Sequence, residues 1–147
     1  MTESWLEELS RQECLDFLAE NAVGRIGIVH DGRPSVFPIN YRLVEFEDRP
    51  CLVMRTRPGN VIDNADTDVA FEIDGIDLYH QRGWSVLVHG VLRQVEADRE
   101  LLAVHFDSDT WIAEGRTTWL ILEPEVITGR RLVQPALQWA FRQSGYL

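Results

Sequence analysis

The spacing of apolar positions changes soon after the start of the chain, and the change marks a boundary between two kinds of structure. In "LSRQECLDFLAENA" the residues Cys14, Leu15 and Leu18, with Ala22 near the end, recur at three- and four-residue steps, which places them on one face of a helix. Ser10 and Glu13 have capping-box spacing, and Leu9 is positioned to staple onto Cys14 across the first turn. A helix over 11–21 is predicted, lying against something apolar. From Val23 the period shortens: Val23, Ile26, Ile28, Val36, Ile39 and Leu43 are interleaved with polar residues and split by Asp31-Gly32. Alternation broken by an Asp-Gly pair is a hairpin signal, because a two-residue turn needs positive φ at both central positions.

Further strands follow. The acidic "EFEDRP" marks a second turn, and "CLVMRT" is an apolar run bounded by Pro50 and Pro58. "NVIDNA" supports at most a short helical turn, whereas "DVAFEID" alternates through Val69, Phe71 and Ile73. "GWSVLVHGVLRQVE" is the longest strand candidate, with Gly90 at its centre as the natural place for a bulge or sharp bend. Acidic residues open "DRELLAVHFDS", where helical spacing predicts a second helix near 98–107. "TTWLILEPEVITGRRLV" then supplies one or two closing strands, the second after Pro124. About six strands with two helices predict an α+β fold, a small antiparallel barrel with helices packed on the outside.

Composition narrows the picture only in part. A chain of 147 residues has room for one core, so 1–147 is expected to be a single domain, with 1–8 and 134–147 as peripheral tails. The 45% hydrophobic and 26% charged content is that of a folded globular protein. The acidic "MTESWLEELS" is unlike a secretory signal, and the apolar runs are short, so a cytoplasmic protein with no membrane attachment is expected. Cys14 and Cys51 have neither disulfide-framework nor zinc spacing and read as small buried hydrophobes. A net charge of -10 repels phosphate backbones and argues against a nucleic-acid partner.

Within that acidic chain all fourteen cations are arginines. Two of them flank Thr56 in "MRTRPGN", where Gly59 frees backbone amides to approach an anion, so Arg55, Thr56, Arg57, Gly59 and Asn60 form a candidate phosphate or carboxylate site. Surface ion pairing with the 24 acids is the competing explanation for the same arginines. The four histidines at 30, 80, 89 and 105 lack metal-ligand spacing, so no metal is expected. No serine sits in a glycine-framed elbow, and neither cysteine is placed as an activated nucleophile.

Taken in order, "GRPSVFPINY", a turn, a strand ending in "RT", a glycine-containing loop, "VAFEID", "GWSVLVHG" and "EPEVITGRRL" resemble the pyridoxamine 5'-phosphate oxidase family of flavin-binding split barrels over about residues 9–132. The resemblance implies a split β-barrel and a homodimer with FMN at the subunit interface, each flavin closed by residues of the second copy. It implies that Phe37, Pro38, Ile39 and Asn40 line the flavin ring with backbone groups, and that Arg55 and Thr56 approach the ring or the phosphoribityl chain. Gly59 and Asn60 match the phosphate loop, but Val61 stands where the family usually has a lysine, so Arg57 would have to supply the cation. Trp84 and Ser85 fall where relatives direct polar groups at the cofactor, and Trp84 could instead stack on it or wall it off. Trp111 and Arg130 match positions near the cofactor or substrate pocket.

The expected function is therefore an FMN-dependent oxidoreductase acting on a small molecule, since in flavoproteins the cofactor carries the redox chemistry and the protein positions it. Two alternatives stand beside it. One is a deazaflavin-dependent reductase, with Arg25, Arg33 and Arg57 as candidates for the longer acidic tail. The other is a non-catalytic flavin- or haem-binding dimeric barrel.

Overall fold

The computed structural model of the chain describes residues 6–56, 66–94 and 118–132. The elements are β1 (Leu6–Glu8), α1 (Arg11–Glu20), β2 (Val23–His30), β3 (Arg33–Phe46), β4 (Arg49–Thr56), β5 (Thr67–Asp77), β6 (Arg82–Gln94) and β7 (Thr118–Leu132). All described pairings are antiparallel. They run in the order β1-β7-β4-β3-β2-β5-β6, with β6 also pairing to β7. Six strands thus close a ring, and the short β1 is added beside β7. This is the split-barrel architecture expected from the sequence. The predicted second helix near 98–107 and the short turn at 60–65 lie outside the described residues.

Local signals explain most of the boundaries. The Ser10 hydroxyl accepts from the Glu13 amide at 3.1 Å, and the Glu13 carboxylate accepts from the Ser10 amide at 3.0 Å, completing the capping box. At the other end of α1 the Asn21 side chain donates to the Phe17 carbonyl at 2.7 Å. Asp31 and Gly32 have φ of 50° and 74°, and Glu47 and Asp48 have φ of 51° and 61°. Both hairpins therefore turn with positive φ at two central residues, the form that matches strand twist. In the second, two acidic residues accept a conformation that glycine or asparagine adopts more readily.

One expectation needs correction. Ala22 does not lie on the buried face of α1; it is exposed, beyond the cap at Asn21, and its carbonyl instead accepts from the Tyr41 amide at 2.9 Å. The closing segment, expected as one or two strands, is a single continuous strand of 15 residues that passes through Pro124. It can do so because the register slips there: His89 pairs with Val126 and Gly90 with Pro124, leaving Glu125 as the extra residue of a bulge. Gly90 is required at this point, since a Cβ would lie 2.0 Å from the Glu123 carbonyl oxygen. The bulge is where the sequence placed it.

The strand faces sort the apolar residues into two clusters. Tyr41, Leu52, Met54, Phe71, Val86, Val88, Leu120 and Leu122 fill the barrel together with Cys14 and Leu18 of α1. The alternate positions Val44, Cys51, Val53, Trp119 and Ile121 form a second, smaller cluster on the opposite face of β3, β4 and β7. Helix α1 is fixed to the barrel by the Tyr41 hydroxyl, which donates to the Leu18 carbonyl at 2.7 Å; burial pushes the phenol far above its ordinary titration range. Cys14 also packs on Gly129, where a Cβ would come within 2.6 Å of its Sγ. Both cysteines are free and buried, and burial raises their thiols, as their spacing suggested.

Candidate functional site

Strand β3 is longer than its partner on one side. Residues 33–40 pair with β2, but pairing with β4 begins only at Tyr41 opposite Met54. Because the Tyr41 amide bonds to β2's side at Ala22, odd-numbered residues of β3 direct their backbone groups toward β2 and even-numbered ones away from it. Among the described residues nothing pairs with the outward side of β3 before Tyr41. Pro34, Val36 and Pro38 therefore face an open edge, and the two prolines fall where a missing N–H costs no ladder bond. Such an edge holds unmet backbone polar groups, chiefly carbonyls.

At the mouth of this edge β4 ends with Arg55 and Thr56, one step beyond the Tyr41–Met54 pair. Successive strand residues face opposite sides. Thr56 is buried beside the interior of the barrel, the only buried polar residue among those described. Arg55 is half-buried on the outer face, across from Trp119 of β7. Its guanidinium carbon lies 5.1 Å from the centroid of the Trp119 ring, within cation–π range. On β3, Asn40 and Pro38 are exposed on the outer face, whereas Ile39 is buried and Phe37 packs against the main core. Of the four residues expected to line a flavin ring, only Pro38 and Asn40 thus have exposed side chains.

The remaining described candidates form a separate group. Trp84 stacks on Phe17 of α1, with centroids 4.0 Å apart and planes 17° from parallel, and it lies against Gly75, where a Cβ would meet its Nε1 at 2.6 Å. The indole is thus used in docking the helix. Ser85 sits between Asp74 and Arg130 in the cross-strand register, and the neighbouring Arg131 pairs with Glu13. Arg130 is exposed. It stands about eleven residues along β7 from Trp119, roughly 36 Å of strand contour at ~3.3 Å per residue. Among the described candidates, Arg130 and Ser85 are therefore not ladder neighbours of the Arg55–Trp119 pair. Arg57, Gly59, Asn60, Val61 and Trp111 lie outside the described residues.

Charge on the outer sheet is locally balanced. One Arg25 nitrogen reaches Glu72 at 3.0 Å and Asp74 at 2.9 Å. Glu72 is nonetheless held above its ordinary carboxylate range, first by desolvation and then by its hydrogen bond and repulsion with Asp74. Arg25, one of the cations considered for a longer acidic tail, is thus already engaged. Among the described residues no cluster of His, Cys, Asp and Glu could hold a metal ion, and no helix is long and apolar enough to cross a membrane.

The antiparallel ring of β2 to β7, with the short β1 added beside β7, defines the class as a split barrel. The chain belongs to the pyridoxamine 5'-phosphate oxidase family, whose sequence model matches residues 10–131. It is similar to the solved structure of a FAD-binding protein from Mycobacterium smegmatis, with 32% identity, a TM-score of 0.66, and coverage of 87% of this chain and 99% of that one. A conserved protein of unknown function from Corynebacterium diphtheriae shares 26% identity and a TM-score of 0.74, covering 88% of this chain and 100% of that one. An uncharacterized protein of Mycobacterium tuberculosis is 28% identical over 133 residues, 86% of this chain and 85% of the relative.

Proposed function

We propose that the chain binds a flavin nucleotide through the FMN moiety common to FMN and FAD, and that it serves as a flavin-dependent oxidoreductase toward a small molecule. The observation that carries this reading is the edge of β3, unpaired among the described residues, at whose mouth stand Arg55 and Thr56. A flavin ring needs fixed donors and acceptors along its rim, which extended backbone supplies, and its phosphate needs a cation. The FAD bound by the 32%-identical Mycobacterium smegmatis protein supports the same cofactor class here. A bound flavin would itself accept the electrons. The residues described above would orient it, with Arg55 and Asn40 on the outer face and Thr56 on the inner one.

The flavin is proposed to lie between two copies of the chain. Arg55 lies opposite Trp119 and Arg130 stands eleven residues further along β7, and the composite site is proposed to take Ser85 and Arg130 from the second copy. Val23, Val29 and Val36 project from the outer faces of β2 and β3 and are more than half exposed, side chains that a second copy could cover. Two measurements test the proposal. The absorbance of the purified protein, and its titration with FMN and with FAD, should give an oxidised-flavin spectrum and saturable quenching. A haem or deazaflavin spectrum, or no binding of either flavin, overturns the assignment. Light scattering should report a dimer, and a monomer at micromolar concentration overturns the composite site.

A further inference from the structure

We infer that Trp119 is a positioning residue: it holds the Arg55 guanidinium at the mouth of the β3 edge that no described strand covers, so that the fork meets the flavin already oriented. The inference rests on the flavin reading above and adds to it a residue outside the expected set.

Arg55 and Trp119 are direct cross-strand partners in the β4–β7 ladder, and opposed residues on one sheet face interact strongly when an aromatic ring is present. The indole is 7% exposed and fixed among Val44, Cys51, Val53 and Ile121. Arg55 in turn stands over that ring, 5.1 Å from its centroid. A cation–π contact draws on the charge of the guanidinium and not on its N–H hydrogens, so it does not compete for them with a phosphate or a flavin carbonyl. An arginine free to rotate must be immobilised when the ligand arrives, and that cost lowers affinity. Trp119 removes part of the cost in advance by confining the side chain. The outer cluster thus serves to hold one cation steady as well as to bury apolar surface.

A double-mutant cycle on the full chain tests this, with FMN and FAD dissociation constants read by flavin fluorescence. Arg55→Ala is expected to weaken binding by about 10- to 150-fold, the range for loss of a charge-assisted bond. Trp119→Leu should weaken it by about tenfold, within the span of a partly desolvated cation–π contact, and should add nearly nothing in the Arg55→Ala background. The Arg55 Nε–H resonance should carry an aromatic ring-current shift that Trp119→Leu abolishes. Should the leucine variant not fold, Trp119→Phe decides: the weaker ring should lose about threefold in the native background and nothing beside Arg55→Ala. If Arg55→Ala binds flavin as tightly as the native chain, the flavin site itself is wrong and this inference falls with it. If Arg55→Ala weakens binding but a Trp119 substitution costs the same in both backgrounds, only the positioning role is overturned.

Discussion

The two ends of β7 do opposite things with the same kinds of residue. Near Leu132 an aromatic, an arginine and a glycine are all engaged within the chain: Trp84 on Phe17, Arg131 with Glu13, and Gly129 beneath Cys14. Near Thr118 a tryptophan and an arginine stand beside a strand edge that no described strand covers. The contrast shows why residue type alone is a poor guide to a site. What distinguishes the two ends is whether the backbone around them is already paired.

Substitution should separate the two ends, most strongly at the helix-docking one. Trp84→Ala leaves Phe17 without its stacking partner and opens a void under α1; it is expected to cost about 3 kcal/mol of stability, read by urea denaturation, while flavin affinity per folded protein stays within about threefold. An equal loss of affinity and stability would mean that the helix-docking end also touches ligand. Arg55→Ala should show the reverse balance, about 2 kcal/mol lost from flavin binding against about 1 kcal/mol of stability from the lost Trp119 contact. Ser10→Ala, which deletes one half of the capping box, should cost about 1 kcal/mol of stability and leave binding alone.

The smallest effect is a pH dependence. The Ser10 amide, chiefly, and the Arg131 guanidinium hold the Glu13 carboxyl below its ordinary range. A carboxylate with a depressed folded value stabilises the fold above its unfolded pKa, and that contribution fades as pH falls through the folded value. The group is exposed, so the effect should be a shallow acid-side slope in stability that Glu13→Gln removes. If the slope is unchanged in Glu13→Gln, other carboxylates set it.

Much of this was legible in the chain because the signals were local. Ser10 with Glu13, Asp31 with Gly32, and Gly90 inside a long strand each fix a cap, a turn or a bulge within a few residues. What stayed hidden depends on distant partners. Pro124 looked like a strand break because the bulge that accommodates it is created by Gly90 on another strand. The stacking of Trp84 on Phe17 was not legible because nothing nearby in sequence announces the partner. Trp119 gave no hint of acting on Arg55, since the two meet only through register. The open β3 edge was equally invisible, although the spacing of Pro34 and Pro38 by four, an even number, was a usable clue that one side of that strand goes unpaired.

Those two prolines have a further effect on the newly made chain. A rim that can accept hydrogen bonds but is short of groups to donate them gives a foreign β-strand little to zip onto. Among the described residues, the stretch from Pro34 to Pro38 thus presents a sheet edge that another molecule cannot readily complete.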